Sequence, residues 1–164
     1  MLRIGVISDT HGEERLIRQA VEIFKEMGAA RILHCGDLCV PAHVELFREI
    51  PTDFVYGNCD ACVRLSIERA VEQFGGTLHG DFGSLRLAGK NIAFLHGQDR
   101  TRLLQELESG RWDLICCGHT HRYEFSMHGE TILLNPGALQ RRSETPGVVC
   151  VDLPKIDASR ILLQ

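Results

Sequence analysis

Two imidazoles one residue apart, His119 and His121, follow the apolar run Leu114-Ile115-Cys116-Cys117 across a single glycine, Gly118. An apolar run of that length bounded by Gly reads as a buried strand. Side chains just past its carboxyl end stand on a loop, where binding groups collect. Neutral imidazole is the commonest protein ligand for metals, so this pair can do coordination chemistry, although a pair of solvated loop histidines is the plainer reading of the pair alone. The arrangement recurs along the chain. Six apolar runs end in polar groups: Asp9 and His11, Asp37, Asn58, His96, His119 and His121, and Asn135.

Each of these has an ordinary explanation when taken singly. An Asp after a strand forms turns or caps helices, Gly36-Asp37 and Gly57-Asn58 are common turn pairs, and His96 can be a satisfied core residue. Together, the seven oxygen and nitrogen donors other than Asn135 are hard to explain as turns. They exceed the four ligands of a tetrahedral structural zinc, and no thiolate is needed among them. Two divalent cations sharing one carboxylate fit the count better, at the separation of roughly 3.5–4 Å used for phosphoryl displacement. Such a pair lowers the pKa of a bound water toward neutrality and neutralises charge on a phosphate. Manganese is the leading expectation for this donor set, with Fe, Zn, Ni or Mg as alternatives, since affinity order alone selects none of them.

The elements that must position these groups can be read from periodicity. Leu2 to Ser8 reads as a strand. The stripe Leu16, Ile17, Ala20, Val21, Phe24 and Met27 has helical spacing and stops at Gly28. Arg31-Ile32-Leu33 is a second strand, and Pro41 opens a short helix that Pro51 ends. Asp53 to Tyr56 is a third strand, and Ile67, Ala70, Val71 and Phe74 make another helix stripe before Gly75-Gly76. After this the alternation gives way to hairpins, Ser84–Leu87 with Asn91–Leu95 and Tyr123–Met127 with Thr131–Leu134. Between them lie a short helix through Leu103, Leu104 and Leu107, which Asp99 can cap, and the central strand. Val148–Leu153 and Ile161–Leu163 read as closing strands. This pattern predicts an α/β protein of two sheets with helices outside, their loops along one edge, forming one domain over residues 1–164.

Composition is ordinary for a soluble globular protein, with 44% hydrophobic and 24% charged residues. A net charge of −4 gives no basis for tight binding to a nucleic-acid backbone except as substrate. Arg141-Arg142 is a local basic spot, open to reading as a substrate contact or a solvated pair. No apolar run approaches the ~20 residues needed to span a bilayer, and the start lacks the layout of a signal peptide. Seven cysteines, several in strand-like segments, favour reduced thiols in a cytoplasmic protein. Cys59-x-x-Cys62 invites a redox or zinc reading, against which stands the plain one of a loop thiol beside a buried one.

Asp9-Thr10-His11, Gly36-Asp37, Gly57-Asn58-Cys59-Asp60, His96-Gly97 and Gly118-His119-Thr120-His121 resemble, in order and spacing, the motifs of the calcineurin-like metallophosphoesterases, and within them the small bacterial and archaeal phosphodiesterases. The resemblance covers essentially the whole chain. It implies a four-layer αββα sandwich of two mixed sheets flanked by helices. It implies that Asp9, His11, Asp37 and His121 hold one metal and that Asp37, Asn58, His96 and His119 hold a second, with Asp37 as the bridge. Asn135-Pro136-Gly137 matches a family segment near the site that is not a ligand. A small phosphodiester is then the expected substrate, cleaved by attack of a metal-bridging hydroxide, with Asn58, Cys59 and Asp60 at the reacting phosphate. Homo-oligomers remain open.

One departure bears on specificity. Where the family usually has a histidine after Gly-Asn, this chain has Cys59. A thiol of pKa ~8.5 is a weak substitute for an imidazole near 6.5 as an acid at neutral pH. Diesters with good leaving groups, or protonation through water, are therefore expected, with low activity on monoesters. The rival expectation is a scaffold on the same fold, since the superfamily includes a retromer subunit of similar size that is mainly an interaction platform. That relative departs from the metal-site pattern, whereas all seven positions are filled here.

Overall fold

Along β1 (Leu2–Ile7) successive side chains enter two different cores, as the two-residue period of a strand requires. Ile4 and Val6 point into a cluster with Ile92, Phe94, Leu114, Cys116 and Leu134 of a second sheet. Ile7 joins a separate cluster with Leu16, Ile17, Ala20 and Phe24 of helix α1 (Glu14–Glu26). Gly5 lies on that helix side, where a Cβ would meet the Phe24 ring at 2.7 Å. Its missing side chain lets the helix lie close on the strand. A computed structural model describes residues 1–140 and 145–164, so Arg141 and Arg142 lie outside the described residues.

The first sheet adds β2 (Arg31–His34), β3 (Thr52–Phe54), β4 (Thr77–Leu78), β10 (Gly147–Leu153) and β11 (Asp157–Leu162), in the order β11-β10-β1-β2-β3-β4. Strands β1 to β4 run parallel, and β10 and β11 are antiparallel additions. The second sheet holds β5 (Phe82–Leu87), β6 (Lys90–Leu95), β7 (Leu114–Cys116), β8 (Tyr123–His128) and β9 (Thr131–Pro136), ordered β5-β6-β7-β9-β8. Its centre, β6-β7-β9, is parallel, and each edge strand is antiparallel.

Helix α1, the 3₁₀ helix Pro41–Phe47 and helix α2 (Arg64–Phe74) contribute Phe24, Phe47 and Ile67 to the outer core of the first sheet. Helix α3 (Arg100–Glu108) covers the far face of the second sheet through Leu107, packed with Ala93, Leu95 and Ile115. Asp99 caps it by accepting from the Arg102 amide at 3.0 Å. The result is a four-layer αββα sandwich of two mixed sheets. Burial of Phe24, Phe47, Phe54 and Phe94 contributes roughly 1.5–3 kcal/mol each to holding the layers together.

Sequence and structure part at a few boundaries. β3 ends at Phe54, so Val55 and Tyr56 belong to the loop that carries Asn58. The segment expected as a helix after Pro41 is 3₁₀ throughout. β4 was not expected, being two residues long and recognisable only by its pairing with β3. β11 begins at Asp157, earlier than its apolar end Ile161 suggests, because the pairing with β10 extends over its polar residues.

Candidate metal centre

Parallel neighbours in each sheet send their following loops to one edge, and backbone hydrogen bonds join those loops. The Asp9 amide donates to Gly36 O at 3.0 Å, the His11 amide to Asp37 O at 3.1 Å, and the Gly118 amide to His96 O at 2.9 Å. Three glycines make the close approach possible. A Cβ on Gly57 would collide with the Asp37 carboxylate, one on Gly118 with Ser8 Oγ, and one on Gly36 would lie 2.8 Å from His96 Nδ1.

Asp9 is the centre of one group. Its Oδ2 accepts from Ser8 Oγ at 2.6 Å and from the His119 amide at 3.0 Å. That leaves Oδ1 facing His121 Nε2 at 3.2 Å, His11 Nε2 at 3.7 Å and His96 Nε2 at 3.8 Å. Asp37 is arranged in the same way: Oδ1 accepts from the Cys59 amide at 2.9 Å, and Oδ2 lies 3.3 Å from His96 Nε2 and 3.7 Å from His11 Nε2. Each carboxylate thus has one oxygen held by protein donors and one turned toward imidazoles. His119 Nδ1 lies 3.1 Å from Asn58 Oδ1. The structure therefore brings Asp9, His11 and His121 into one tight cluster and Asp9, Asp37 and His96 into another, and sets His119 beside Asn58 with its ring 5.2 Å from that of His96.

The set fits divalent cations on its own chemistry. Asp9 Oδ1 and His96 Nε2 are buried and have no hydrogen-bond partner, an arrangement that costs ~1–3 kcal/mol per group unless something satisfies them. His96 Nδ1 donates to Cys35 O at 2.8 Å, which leaves the Nε2 lone pair pointing at the carboxylates. His11 Nε2 and His121 Nε2 approach to 3.2 Å, a distance suited to two lone pairs converging on a cation. The electrostatics agree. Burial alone would raise the pKa of Asp37, but His96 and the Cys59 amide hold it well below the usual carboxylate range. Burial likewise works against ionisation of Asp9 and is outweighed by His11, His96 and Ser8. His11 is shifted upward by Asp9, against the opposing effect of burial. For His96 burial is the largest influence and lowers the pKa, yet Asp37 and Asp9 together carry it upward.

Backbone strain concentrates here. Among the described residues eight non-glycine positions have positive φ, and six of them are Asp9, His11, Asp37, Cys39, His119 and His121. Asp and His tolerate this region better than most residues, and strained conformations cluster where function holds them.

Asp60 stands apart from the expectation that set it at the reacting phosphate. It is fully buried, and its carboxylate accepts from the amides of Asp37 (3.0 Å), Cys39 (2.8 Å) and Gly57 (2.8 Å). It ties the Asp37 loop to the Asn58 loop. Asn58 and Cys59 are exposed at the rim. Asn135 lies within β9, and its amide donates to Gly118 O at 2.7 Å and Thr120 Oγ1 at 3.1 Å, bracing the loop that carries both histidines. Ser8, Cys39 and Gln140 were not singled out by sequence. Gln140 lies with its amide 2.8 Å from His121 Nδ1 and Cys39 Sγ lies 3.5 Å from His11 Nδ1. Nothing local marks Cys39 and Gln140, which act through residues distant in the chain, while Ser8 acts through its neighbour Asp9.

Comparison with known proteins accords with this geometry. Residues 2–155 match the calcineurin-like phosphoesterase superfamily domain. A phosphodiesterase of Methanocaldococcus jannaschii is 28% identical over 139 residues, covering 83% of each chain. The solved structure of an archaeal phosphodiesterase superposes with a TM-score of 0.92 at 26% identity, covering 99% of this chain and 100% of that one. Vps29 from Entamoeba histolytica shares the fold at 18% identity, with a TM-score of 0.69 and coverage of 99% and 100%. Motifs, layers and the convergence of carboxylates with imidazoles all lead to one assignment: the chain belongs to the calcineurin-like phosphoesterase superfamily.

Proposed function

We propose that this protein is a phosphodiesterase that works with two divalent cations, manganese first among them, held between Asp9, His11, Asp37 and His121 on one side and Asp37, Asn58, His96 and His119 on the other. The observation that carries this reading is the position of Asp37 Oδ2, 3.3 Å from His96 Nε2 and 3.7 Å from His11 Nε2, within reach of both groups. Bound there, the cations would supply an acidified water as nucleophile and neutralise charge on the phosphoryl oxygens.

The remaining work falls to this chain's side chains. Ser8 and the His119 amide hold Asp9, the Cys59 amide holds Asp37, and Cys35 O fixes the ring of His96. Asn58 stands at the exposed rim, where it can meet the phosphoryl group together with the cations. Asp60 is a positioning residue, since its oxygens are already engaged by three amides. The Cys59 thiol is pushed up by burial and by the nearby Asp37 carboxylate, so it keeps its proton and gives it up reluctantly to a leaving group at neutral pH. Diesters with good leaving groups, or leaving groups protonated through water, suit such a site better than monoesters.

The test is hydrolysis of bis(p-nitrophenyl) phosphate by metal-depleted protein with and without added Mn²⁺. Turnover that appears with Mn²⁺ and disappears on chelation supports the reading. Absence of metal-dependent turnover would move the protein to the scaffold reading, for which the shared fold of Vps29 is the precedent.

A further inference from the structure

Two thiols lie near His11, on the Nδ1 side of its ring. Cys39 Sγ is 3.5 Å from His11 Nδ1, and ligand atoms of His11, Cys39 and Cys59 all lie within 4.8 Å of one another. Cys39 is partly buried and Cys59 exposed, so the trio opens to solvent. Neither thiol is in a disulfide. Zn–S and Zn–N bonds of about 2.3 and 2.0 Å meeting at a tetrahedral angle set sulfur and nitrogen about 3.5 Å apart, which is the spacing found between Cys39 and His11. Two sulfurs and one imidazole are a soft donor set, unlike the oxygen-rich set on the other side of the same ring.

We propose that His11, Cys39 and Cys59 form a separate site for a thiophilic divalent cation, Zn²⁺ or Cd²⁺, which competes with the phosphodiesterase metals for His11. The competition follows from the ring. A neutral imidazole has one lone pair, on either Nδ1 or Nε2. A cation held at Nδ1 with the two sulfurs leaves the proton on Nε2. Nε2 is the nitrogen that faces Asp9, Asp37 and His121, and in that tautomer it has no lone pair for a cation there. Occupation of the thiol site therefore withdraws one ligand from the first group, and filling the first group withdraws one from the thiols. The surrounding charge suits a cation: the Asp60 carboxylate accepts from the Cys39 amide at 2.8 Å and the Asp37 carboxylate from the Cys59 amide at 2.9 Å. These carboxylates favour a cation among the thiols, with binding releasing the thiol protons. The sulfur–imidazole site stands on its own geometry; the competition rests on the two-cation reading above.

The experiment titrates metal-depleted protein with Cd²⁺ and follows the ultraviolet thiolate-to-cadmium charge-transfer band, which no ligand of the oxygen and imidazole cleft can produce. One equivalent of band is expected. It should vanish in Cys39→Ser and in Cys59→Ser and survive in Cys62→Ser. Saturating Mn²⁺ should weaken the apparent Cd²⁺ affinity about tenfold, the scale of a typical coupling between sites. In wild-type protein, Cd²⁺ should protect Cys39 and Cys59, but not Cys62, from alkylation read by peptide mass spectrometry, which keeps the test valid if a variant misfolds. A band that persists in both single variants, or equal alkylation of all three cysteines, overturns the site. A Cd²⁺ affinity indifferent to Mn²⁺ overturns the competition. A thiolate band without Mn²⁺-dependent diester hydrolysis would sink the phosphodiesterase reading and leave the thiol site standing.

Discussion

Asp9 accepts from the main-chain amide of His119 at 3.0 Å, although the two are separated by 110 residues and belong to loops of different sheets. The bond fixes more than one loop. It takes up Oδ2, together with Ser8 Oγ at 2.6 Å, and so turns Oδ1 toward the rings of His11, His96 and His121. The inter-sheet contact and the orientation of the imidazole-facing oxygen are thus set by the same carboxylate.

Removing the hydroxyl that shares this role gives the first prediction. Ser8→Ala leaves Asp9 with one fixed donor and freedom to rotate, while Ser8 itself contacts no reacting atom. Loss of such a supporting hydrogen bond typically weakens metal binding 10- to 100-fold. The Mn²⁺ concentration for half-maximal diesterase activity should rise by about that factor, with kcat at saturating Mn²⁺ falling much less. Calorimetric titration with Mn²⁺ checks the binding directly, and an unchanged affinity would show that the amide of His119 alone holds the carboxylate.

Asp60 yields a prediction with a different signature. An amide in place of its carboxylate keeps the shape but replaces one acceptor with a donor facing backbone N–H groups that are also donors. Hydrogen bonds to a buried charge contribute about 1.5–3 kcal/mol each, so Asp60→Asn should lose about 3 kcal/mol or more of stability, measured by urea unfolding. Its Mn²⁺ requirement should rise because the Asp37 loop loosens. At saturating Mn²⁺ the pH profile of kcat/KM should keep its shape, which a proton-transferring Asp60 would not allow.

Much of this arrangement was legible in the chain, for reasons that particular residues make plain. Strand alternation is a local property, so Ile4 and Val6 against Gly5 and Ile7 already imply a sheet covered on both faces. His119 and His121 past an apolar run marked the sheet edge that matters. What stayed hidden depends on pairing across the chain. Nothing near Leu2 announces Leu153 as its partner, so the placement of β10 beside β1 had to come from the structure. Ser8 read as the end of a strand, and Asp60 as one more polar residue in a motif. Asp60 takes its role from the distant amides of Asp37 and Cys39, and Ser8 from the neighbouring Asp9 carboxylate, whose own place in the site depends on remote histidines. The contact of Cys39 with His11 was not legible in the sequence, because the two lie 28 positions apart.

His34 carries a pH prediction. It is fully buried against Phe47 and Phe54, with ring centroids 5.6 Å from each. The Gly36 amide donates to its Nδ1, so Nε2 holds the proton toward Thr10 Oγ1. Burial lowers its pKa to about 4, against about 6.5 in an unfolded chain. Between these values the unfolded state binds more protons, so stability rises with pH. The contribution is complete above about pH 6.5 and is lost as pH falls toward 4, on the order of 3 kcal/mol in all. Urea unfolding at several pH values should show this loss in the wild type, and His34→Gln should remove it. Parallel curves for the two proteins would mean that His34 does not titrate with unfolding.

Cys59 offers the last prediction, one that bears on substrate choice. Its side chain sits at the rim beside Asn58, whose amide lies 3.5 Å from Cys59 Sγ, and its amide holds Asp37 whatever side chain it carries. Replacement by histidine therefore leaves that backbone support in place and adds an imidazole that is protonated just below neutrality. A positioned general acid contributes typically 10²–10⁴-fold, and a poor leaving group benefits most. Cys59→His should raise turnover of alkyl phosphate monoesters and alkyl diesters by about 10²-fold while changing bis(p-nitrophenyl) phosphate little. The gain should fade as pH rises past the imidazole pKa. Steady-state rates on these substrates at saturating Mn²⁺ decide the matter: if no class of ester is cleaved faster, the thiol does not set the proposed preference for diesters.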